Sequence, residues 1–410
     1  MKQYCQLVRH PGNQALFLAA ELSILAASAG QPLHLHAEGL RGTGKTSVLR
    51  AARQVLPRLE RVRGCLYNCD PENPHCPEHR GLDARSLVSL GTEVIPMPFL
   101  EISHAAKVGT VVGSIDLARL TNPSRPAAAL LPGTIPQAHR GIIFVDEINR
   151  LAETSPELAD ILLDAMGTRP GRVQVEEAGL PVVELPVQVT VWAASNPDED
   201  PGPLEDVRRQ LADRFDLRVA MGRPAQAEVV EQMLRAADGV GTHPGAPRPE
   251  FDHAAFAGTF LPDHLRRLIA GLYVRFSVES LRGVEALQLA ARACAALGGR
   301  AEVDLQDLRR VAPLVFRHRV DEENLGRLVG CLDEHLPKGE RIAGALAQPA
   351  GPPDHVPPRV GLLARLWRGR QRRDESVPAR VLPVAPWARA RPLRELPPEE
   401  WVRPGDDLRP

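Results

Sequence analysis

The segment from Gly39 to Thr46, which reads GLRGTGKT, decides the fold of this chain. It fits the pattern G-x-x-x-x-G-K-[ST], in which glycines let successive backbone N–H groups turn towards a bound phosphate. Lys45 would place an ammonium between the β- and γ-phosphates, and the Thr46 hydroxyl would hold Mg²⁺. The residues predicted to bind the nucleotide in this segment are Gly39, Gly42, Thr43, Gly44, Lys45, Thr46 and Ser47.

The composition and the flanking sequence both support this prediction. Almost all basic residues are arginine, and the lysines are Lys2, Lys45, Lys107 and Lys338. One of these few lysines stands where a compact ammonium on a flexible stem serves best. Residues 33–37 read as a short buried strand and residues 47–56 as a helix whose positive N-terminus faces the anion. The sequence therefore predicts a site for ATP and Mg²⁺.

The whole-chain composition sets limits on the class of protein. At 410 residues the chain is long enough for two or three domains, and a net charge of −1 gives no global electrostatic case for binding nucleic acid or membrane. The apolar run 15–30 resembles a signal peptide, but Glu21 interrupts it and the nucleotide strand follows directly. We interpret it as the first helix of a cytoplasmic protein without a membrane span, in which disulfides among the six cysteines are not expected.

A second buried strand carries acidic residues at its end. Residues 141–147 read GIIFVDE, a continuous apolar run of the kind found in parallel sheets, followed by two acids. Acids at the carboxyl edge of such a sheet lie where ligands bind. Asp146 is therefore predicted to hold Mg²⁺, and Glu147 to polarise the attacking water as general base. The alternative is a surface acid pair that happens to follow a strand.

Three further polar residues complete the predicted site. The strand at 188–194 leads into Asn196, whose amide is placed to reach the γ-phosphate, although a strand followed by Asn-Pro is by itself only a turn signal. Arg214 ends a helix just before another strand, the position from which an arginine finger reaches a neighbour's γ-phosphate. Arg208 and Arg209 on the same helix read equally well as a solvated basic end. Arg282 opens a later helix and is predicted to swing onto the nucleotide.

A polar, proline-rich loop after the nucleotide helix contains four potential ligands for a soft metal. Their spacing is C-x3-C-x6-C-x2-H, which is not a standard zinc-finger pattern, and only the C-x2-H end is tight. Both a structural metal and plain loop cysteines remain open at this point. The residues concerned are Cys65, Cys69, Cys76 and His79.

The remaining chain separates into a helical part and a tail. Residues 155–166 read as an amphipathic helix and residues 172–185 as a hairpin, followed by a Gly/Pro linker at 236–250. Residues 251–336 show apolar residues at helical spacing only. Beyond 337 the chain is rich in Pro, Ala and Arg, and the basic run 359–373 either docks on an anionic partner or is a solvated tail.

The order of these motifs resembles the AAA+ ATPase subunit of magnesium chelatase and the broader chelatase-like AAA+ group. The resemblance runs from about Ala15 to Val320 and rests on GTGKTSVLRAARQVLP, YNCDPENP, VVGSIDLARL, ALLPGTIPQAHRGIIFVDEINRL, LLDAM, ASNPDED, QLADRFDL, SLRGVEALQLAARACAALGGR and VAPLVFRHR. It implies that Lys45 and Thr46 belong to Walker A and Asp146 and Glu147 to Walker B. It also implies that Asn196 is sensor 1, Arg214 the trans-acting finger and Arg282 sensor 2.

The resemblance implies an α/β fold: a P-loop AAA+ core with a parallel sheet and family inserts, then an all-α lid domain and a Pro/Arg-rich tail. We expect the nucleotide-binding domain at 1–235, the lid at 236–345 and a flexible tail at 346–410. The implied partners are further copies in a hexameric ring, a subunit with a von Willebrand A (VWA) domain, and a large metal-inserting chelatase subunit.

Two inserts depart from the family pattern. The hairpin reads VEEAG at 175–179 where the family has V-E-R-E-G, and residues 103–108 do not match the family's T-E-D-R run. ATP hydrolysis by a ring that remodels a partner complex is the favoured function. The alternatives are a nucleic-acid motor, against which the acidic hairpin tip counts, a MoxR-like chaperone ATPase, and a scaffold without hydrolysis.

Overall fold

Five parallel strands form the central sheet of the protein. The computed structural model describes residues 3–115, 130–167, 170–176, 182–237 and 245–336. In spatial order the strands are β11 (Leu217–Ala220), β1 (Leu35–Glu38), β10 (Val189–Ser195), β7 (Gly141–Asp146) and β4 (Phe99–Ile102). In register, Leu35 lies opposite Trp192 on one side and Leu217 on the other. All carboxyl ends therefore meet at one edge, as the sequence predicts for a P-loop fold.

Helices cover both faces of the sheet, which explains the continuous apolar strands. Ile142 and Phe144 of β7 belong to a core shared with the helix Gln14–Ser28, and Ile143 and Val145 to a second core on the opposite face. The helices of this part are α1 (Gln14–Ser28), α2 (Lys45–Ala52), α3 (Ala84–Leu90), α4 (Val108–Val112), α5 (Thr134–Gln137), α6 (Ile148–Thr154), α7 (Pro156–Gly167), α8 (Leu204–Ala212) and α9 (Ala227–Ala237).

Three two-stranded antiparallel sheets accompany the central sheet. They pair β2 (Arg58–Val62) with β3 (Thr92–Pro96), β5 (Gly113–Ile115) with β6 (Leu130–Pro132), and β8 (Gly171–Val175) with β9 (Val183–Val187). The third is the hairpin predicted from residues 172–185. Its tip at 177–181 lies outside the described residues, as do residues 116–129 between β5 and β6.

The described residues after 250 contain helices and no named strand, in agreement with the sequence. They are α10 (His253–Gly258), α11 (Asp263–Arg275), α12 (Leu281–Leu297), α13 (Leu305–Phe316) and α14 (Glu322–His335). Side chains cap the N-termini of α12 and α13: Ser280 accepts a hydrogen bond from the second residue of α12, and Asp304 forms a capping box with Asp307 at α13.

No helix among the described residues is both long and apolar enough to cross a bilayer. Two expectations about the whole chain remain predictions. The cytoplasmic location and the domain boundaries at 235 and 345 are not tested by this architecture. The tail at 346–410, including the basic run 359–373, lies outside the described residues.

Candidate functional site

The predicted phosphate loop, Gly39–Thr46, connects the end of β1 to the start of α2. Gly42 and Gly44 have φ angles of +79° and +91°, which a residue with a Cβ adopts only under strain. An added Cβ at either glycine would meet no atom within 4 Å, so the space above the loop is open. Gly39 is different, because an added Cβ would lie 2.8 Å from the carbonyl oxygen of Met221. The loop thus leaves open space beside Gly42 and Gly44, which a bound phosphate group requires.

Lys45 lies folded over this loop. Its ammonium donates hydrogen bonds to the carbonyl oxygens of Gly39, at 2.5 Å, and Leu40, at 2.9 Å. The residue is 9% exposed, and this burial lowers the pKa of its amine, while Asp146 is the largest of the charges that act in the opposite direction. A cation held above a glycine loop fits a polyphosphate ligand.

Thr46 and Asp146 come together at the same edge, as the sequence predicts. The Thr46 hydroxyl donates to an Asp146 carboxylate oxygen over 3.2 Å. A hydroxyl and a carboxylate side by side are hard oxygen ligands, so these two residues fit Mg²⁺. Arg50, which the sequence analysis missed, lies 3.5 Å from Asp146 and 2.9 Å from Glu101. Its i,i+4 spacing from Thr46 on α2 was the available signal.

Glu147 stands at the point where β7 passes into α6. It adopts a left-handed conformation with φ +53° and ψ +49°, and its side chain is 40% exposed. The carboxylate accepts a hydrogen bond from Arg150, 2.9 Å away, which the sequence analysis did not anticipate. Glu147 is therefore at the carboxyl edge beside Asp146, and its carboxylate is accessible from solvent.

Asn196 follows β10 at this same edge, and a buried residue of α6 positions its loop. Asn149 is 4% exposed and donates from its amide to the carbonyl oxygens of Asn196, at 3.2 Å, and Gly202, at 2.9 Å. The Asn196 side-chain oxygen accepts from the backbone N–H of Asp198 over 3.3 Å. Asn149 was missed because nothing in the local sequence shows which loop a buried amide will meet.

Arg214 and Arg282 lie near the amino ends of the parallel strands, whereas the phosphate loop lies at their carboxyl ends. Arg214 precedes β11 and lines an open cleft of about 630 Å³ beside Gly167. Arg282 forms an ion pair with Asp216 over 3.1 Å and donates to the carbonyl oxygen of Arg214 over 2.7 Å. Asp216 in turn accepts from the backbone N–H of His34, just before β1. The structure therefore groups these two arginines with each other and separates them from Lys45 of the same chain.

The four cysteine and histidine side chains that the sequence offers as metal ligands, in the loop between β2 and α3, do come together. Their ligand atoms all lie within 4.8 Å of one another, and the Cys76 sulfur is 3.1 Å from Nδ1 of His79. Hydrogen bonds with the Cys69 and Cys76 thiols lower the pKa of the Cys65 thiol. The hydrogen bond with Cys65 in turn raises the pKa of Cys69 to about 11 and also raises the pKa of Cys76. All four residues of this cluster are buried: Cys65, Cys69, Cys76 and His79.

Comparison with known proteins places this arrangement in a family. Residues 266–328 match the AAA lid domain. The magnesium-chelatase 38 kDa subunit of Acidiphilium rubrum is 32% identical over 333 residues, which cover 75% of this chain and 87% of that protein. The chloroplastic magnesium-chelatase subunit ChlI of Chlamydomonas reinhardtii is 28% identical over 335 residues, which cover 77% of this chain and 76% of that protein.

A solved structure of the complex between subunits BchI and BchD of magnesium chelatase is also similar. It is 26% identical, with a TM-score of 0.44, and the match covers 79% of this chain and 98% of that one. The identity to the Acidiphilium rubrum subunit, over most of both chains, agrees with the motif order found in the sequence. The chain therefore belongs to the AAA+ ATPase family of the magnesium-chelatase 38 kDa subunit.

Proposed function

We propose that this chain hydrolyses Mg-bound ATP at the interfaces of a homo-oligomeric ring and uses the energy to remodel a partner complex. The observation that carries the proposal is the division of the site. Lys45, Thr46 and Asp146 meet at one edge of the sheet, whereas Arg214 and Arg282 lie at the other. A second copy of the chain would bring its arginine edge to the phosphates bound by the first.

Each residue has a role that follows from its position. Lys45 would move from the loop carbonyls to the β- and γ-phosphates, and Thr46 and Asp146 would hold Mg²⁺, which neutralises charge on the phosphate oxygens. Glu147 would leave Arg150 to take the proton of the attacking water, oriented by Asn196. Arg214 of the neighbour would stabilise the charge that develops on the transferred phosphoryl group, with Arg282 beside it.

The partners are proposed from the family. The relatives are named as subunits of magnesium chelatase, and one is seen with a second subunit, BchD. We therefore propose a hexameric ring that acts on a VWA-domain protein, with a large metal-inserting subunit as a further partner. The nucleic-acid motor and the MoxR-like chaperone have no feature in their favour among the described residues, and Glu176, which adjoins the hairpin tip, is acidic.

Mixing experiments test the shared site directly. Lys45→Ala and Arg214→Ala chains should each be inactive alone. When the two are mixed equally, about a quarter of ring interfaces should pair an intact loop with an intact arginine, so ATPase activity should return. Arg209→Ala, which removes an exposed arginine of the same segment, is the control and should stay active without mixing. If no ratio restores turnover, Arg214 does not act across the interface.

A second variant separates hydrolysis from binding. Glu147→Gln should keep ATP-stabilised oligomers while lowering kcat by about 10²- to 10⁴-fold, the range for loss of a general base. Arg150→Gln removes only the partner of Glu147 and should retain most of the activity. A Glu147→Gln protein that hydrolyses ATP at the wild-type rate would exclude Glu147 as the base.

A further inference from the structure

The loop between β2 and α3 contains a cluster that ATP hydrolysis does not use. The loop has little regular structure of its own, yet three cysteines and one histidine from both of its halves converge in its interior. Buried cysteine in a core usually packs against apolar neighbours rather than against other thiols. Four ligand atoms within 4.8 Å of one another therefore need a chemical explanation.

We propose that this cluster binds one Zn²⁺ in a closed, structural site. Thiolate and imidazole are the ligands that Zn²⁺ prefers, and four of them complete its tetrahedral shell without an open position for substrate. With Zn–S bonds of about 2.3 Å, tetrahedral geometry puts sulfur atoms about 3.8 Å apart, so the observed separations need only small side-chain movements. The ligands are Cys65, Cys69, Cys76 and His79.

The surroundings of the cluster suit thiolate ligands. The Cys69 sulfur accepts hydrogen bonds from the backbone N–H groups of His75, at 3.4 Å, and Cys76, at 3.3 Å. Such N–H···S contacts stabilise a negative sulfur and orient it towards a metal. Nδ1 of His75 is also 3.4 Å from this sulfur, and its ring stacks on His139 with centroids 3.7 Å apart. His75 thus supports the cluster from outside the set of four ligands.

The metal would fix one wall of a cleft. Polar contacts attach the loop to the rest of the core; among them, Asn68 donates to the carbonyl oxygen of Gln137 over 2.6 Å and Asp70 pairs with Arg140 over 3.3 Å. A cleft of about 750 Å³ lies between this loop and the start of α12, and both His75 and Arg282 line it. Cross-linking the loop through a metal therefore holds the surface that faces Arg282.

Metal analysis of the full-length protein tests the proposal. Protein purified under reducing conditions without added metal should contain about one Zn²⁺ per chain by mass spectrometry, and a mercurial reagent should release it. Cys76→Ser should lose the metal and melt at a lower temperature. Cys294→Ser, which alters a buried cysteine of α12, and His75→Gln, which alters the neighbouring ring, should both keep it.

Cobalt substitution keeps the test decisive if Cys76→Ser does not fold. Wild-type protein stripped of metal and titrated with Co²⁺ should show the visible absorption of a tetrahedral cobalt–thiolate site, saturating at about one equivalent. A reduced wild-type protein with no bound zinc and no such spectrum overturns the proposal. So does a disulfide within the cluster, or equal metal loss in Cys76→Ser and Cys294→Ser. None of these measurements depends on ATP turnover, so the metal site and the proposed ATPase can fail separately.

Discussion

Asp216 joins the central sheet to the helical region through a buried ion pair. Removing the charge of Asp216 should therefore lower the free energy of unfolding. Its side chain is 1% exposed, and its two carboxylate oxygens accept from the backbone N–H of His34 and from Nε of Arg282. Asp216→Asn keeps the shape and one acceptor but removes the charge. Arg282, whose side chain is 20% exposed, would then be left as a half-buried cation without its carboxylate.

The magnitude follows from burial. Breaking a buried pair by removing one partner typically costs about 3–5 kcal/mol, because the remaining charge stays desolvated. Arg282 also donates to the carbonyl oxygens of Met166 and Arg214, which offset part of that loss. We therefore expect Asp216→Asn to lower the free energy of unfolding by about 3 kcal/mol, with a coupling energy to Arg282 of about 2 kcal/mol.

A double-mutant cycle measures this coupling, and the chain offers a matched control. Arg209 and Glu279 form a second ion pair between α8 and the segment before α12, but their side chains are 81% and 77% exposed. Urea unfolding followed by circular dichroism would compare Asp216→Asn, Arg282→Met and the double variant with the same set at the control pair. The exposed pair should give about 0.5 kcal/mol or less. Equal coupling energies at the Asp216–Arg282 and Arg209–Glu279 pairs would refute the reasoning. The hydrogen bonds to backbone carbonyl oxygens would then be the contacts that position Arg282.

Two further predictions concern buried polar groups of the sheet. Ser23→Ala should lower the free energy of unfolding by about 2 kcal/mol in urea titrations, because the buried indole N–H of Trp192 loses its acceptor at 2.8 Å. The control Ser28→Ala removes a hydroxyl that is bonded within its own helix, and it should change the free energy of unfolding by less than about 0.5 kcal/mol. Similar losses in the two variants would contradict this account. Burial lowers the pKa of His36 from 6.5 to about 3, so the unfolded chain binds the proton more readily. This histidine contributes stability that is complete above pH 6.5 and falls by about 2 kcal/mol on going to pH 5. His36→Gln should flatten the pH dependence of urea unfolding, whereas His253→Gln, at an exposed site, should not, and an unchanged slope in His36→Gln would exclude this origin.

The sequence was sufficient where the place of a residue follows from the strand that directly precedes it. The glycine loop, the acids after β7 and the asparagine after β10 each follow a strand of one parallel sheet, so strand prediction alone brings them to one edge. The ends of the buried strand at 141–146 and of the hairpin around 171–187 were predicted within one or two residues.

Contacts between distant segments were not accessible in this way. The position of Arg282 depends on how α12 packs, and its pairing with Asp216 spans 66 residues. The edge strand β4 and the β2–β3 hairpin carry mixed polar and apolar residues, so no periodicity marked them. The cysteine spacing matched no standard pattern, and only the folded loop shows that its four ligands converge.

The position of the two arginines on the far edge has a kinetic consequence. The strand β1 separates the two ends of the sheet by about 13 Å, at about 3.3 Å for each of its four residues. This distance is longer than an arginine side chain, so neither arginine can reach the phosphate loop of its own chain from where it lies. If turnover needs both edges, an isolated chain binds nucleotide but does not hydrolyse it. The ATPase activity per chain should then rise with protein concentration and fall on dilution. The fraction of chains that bind nucleotide should not depend on protein concentration.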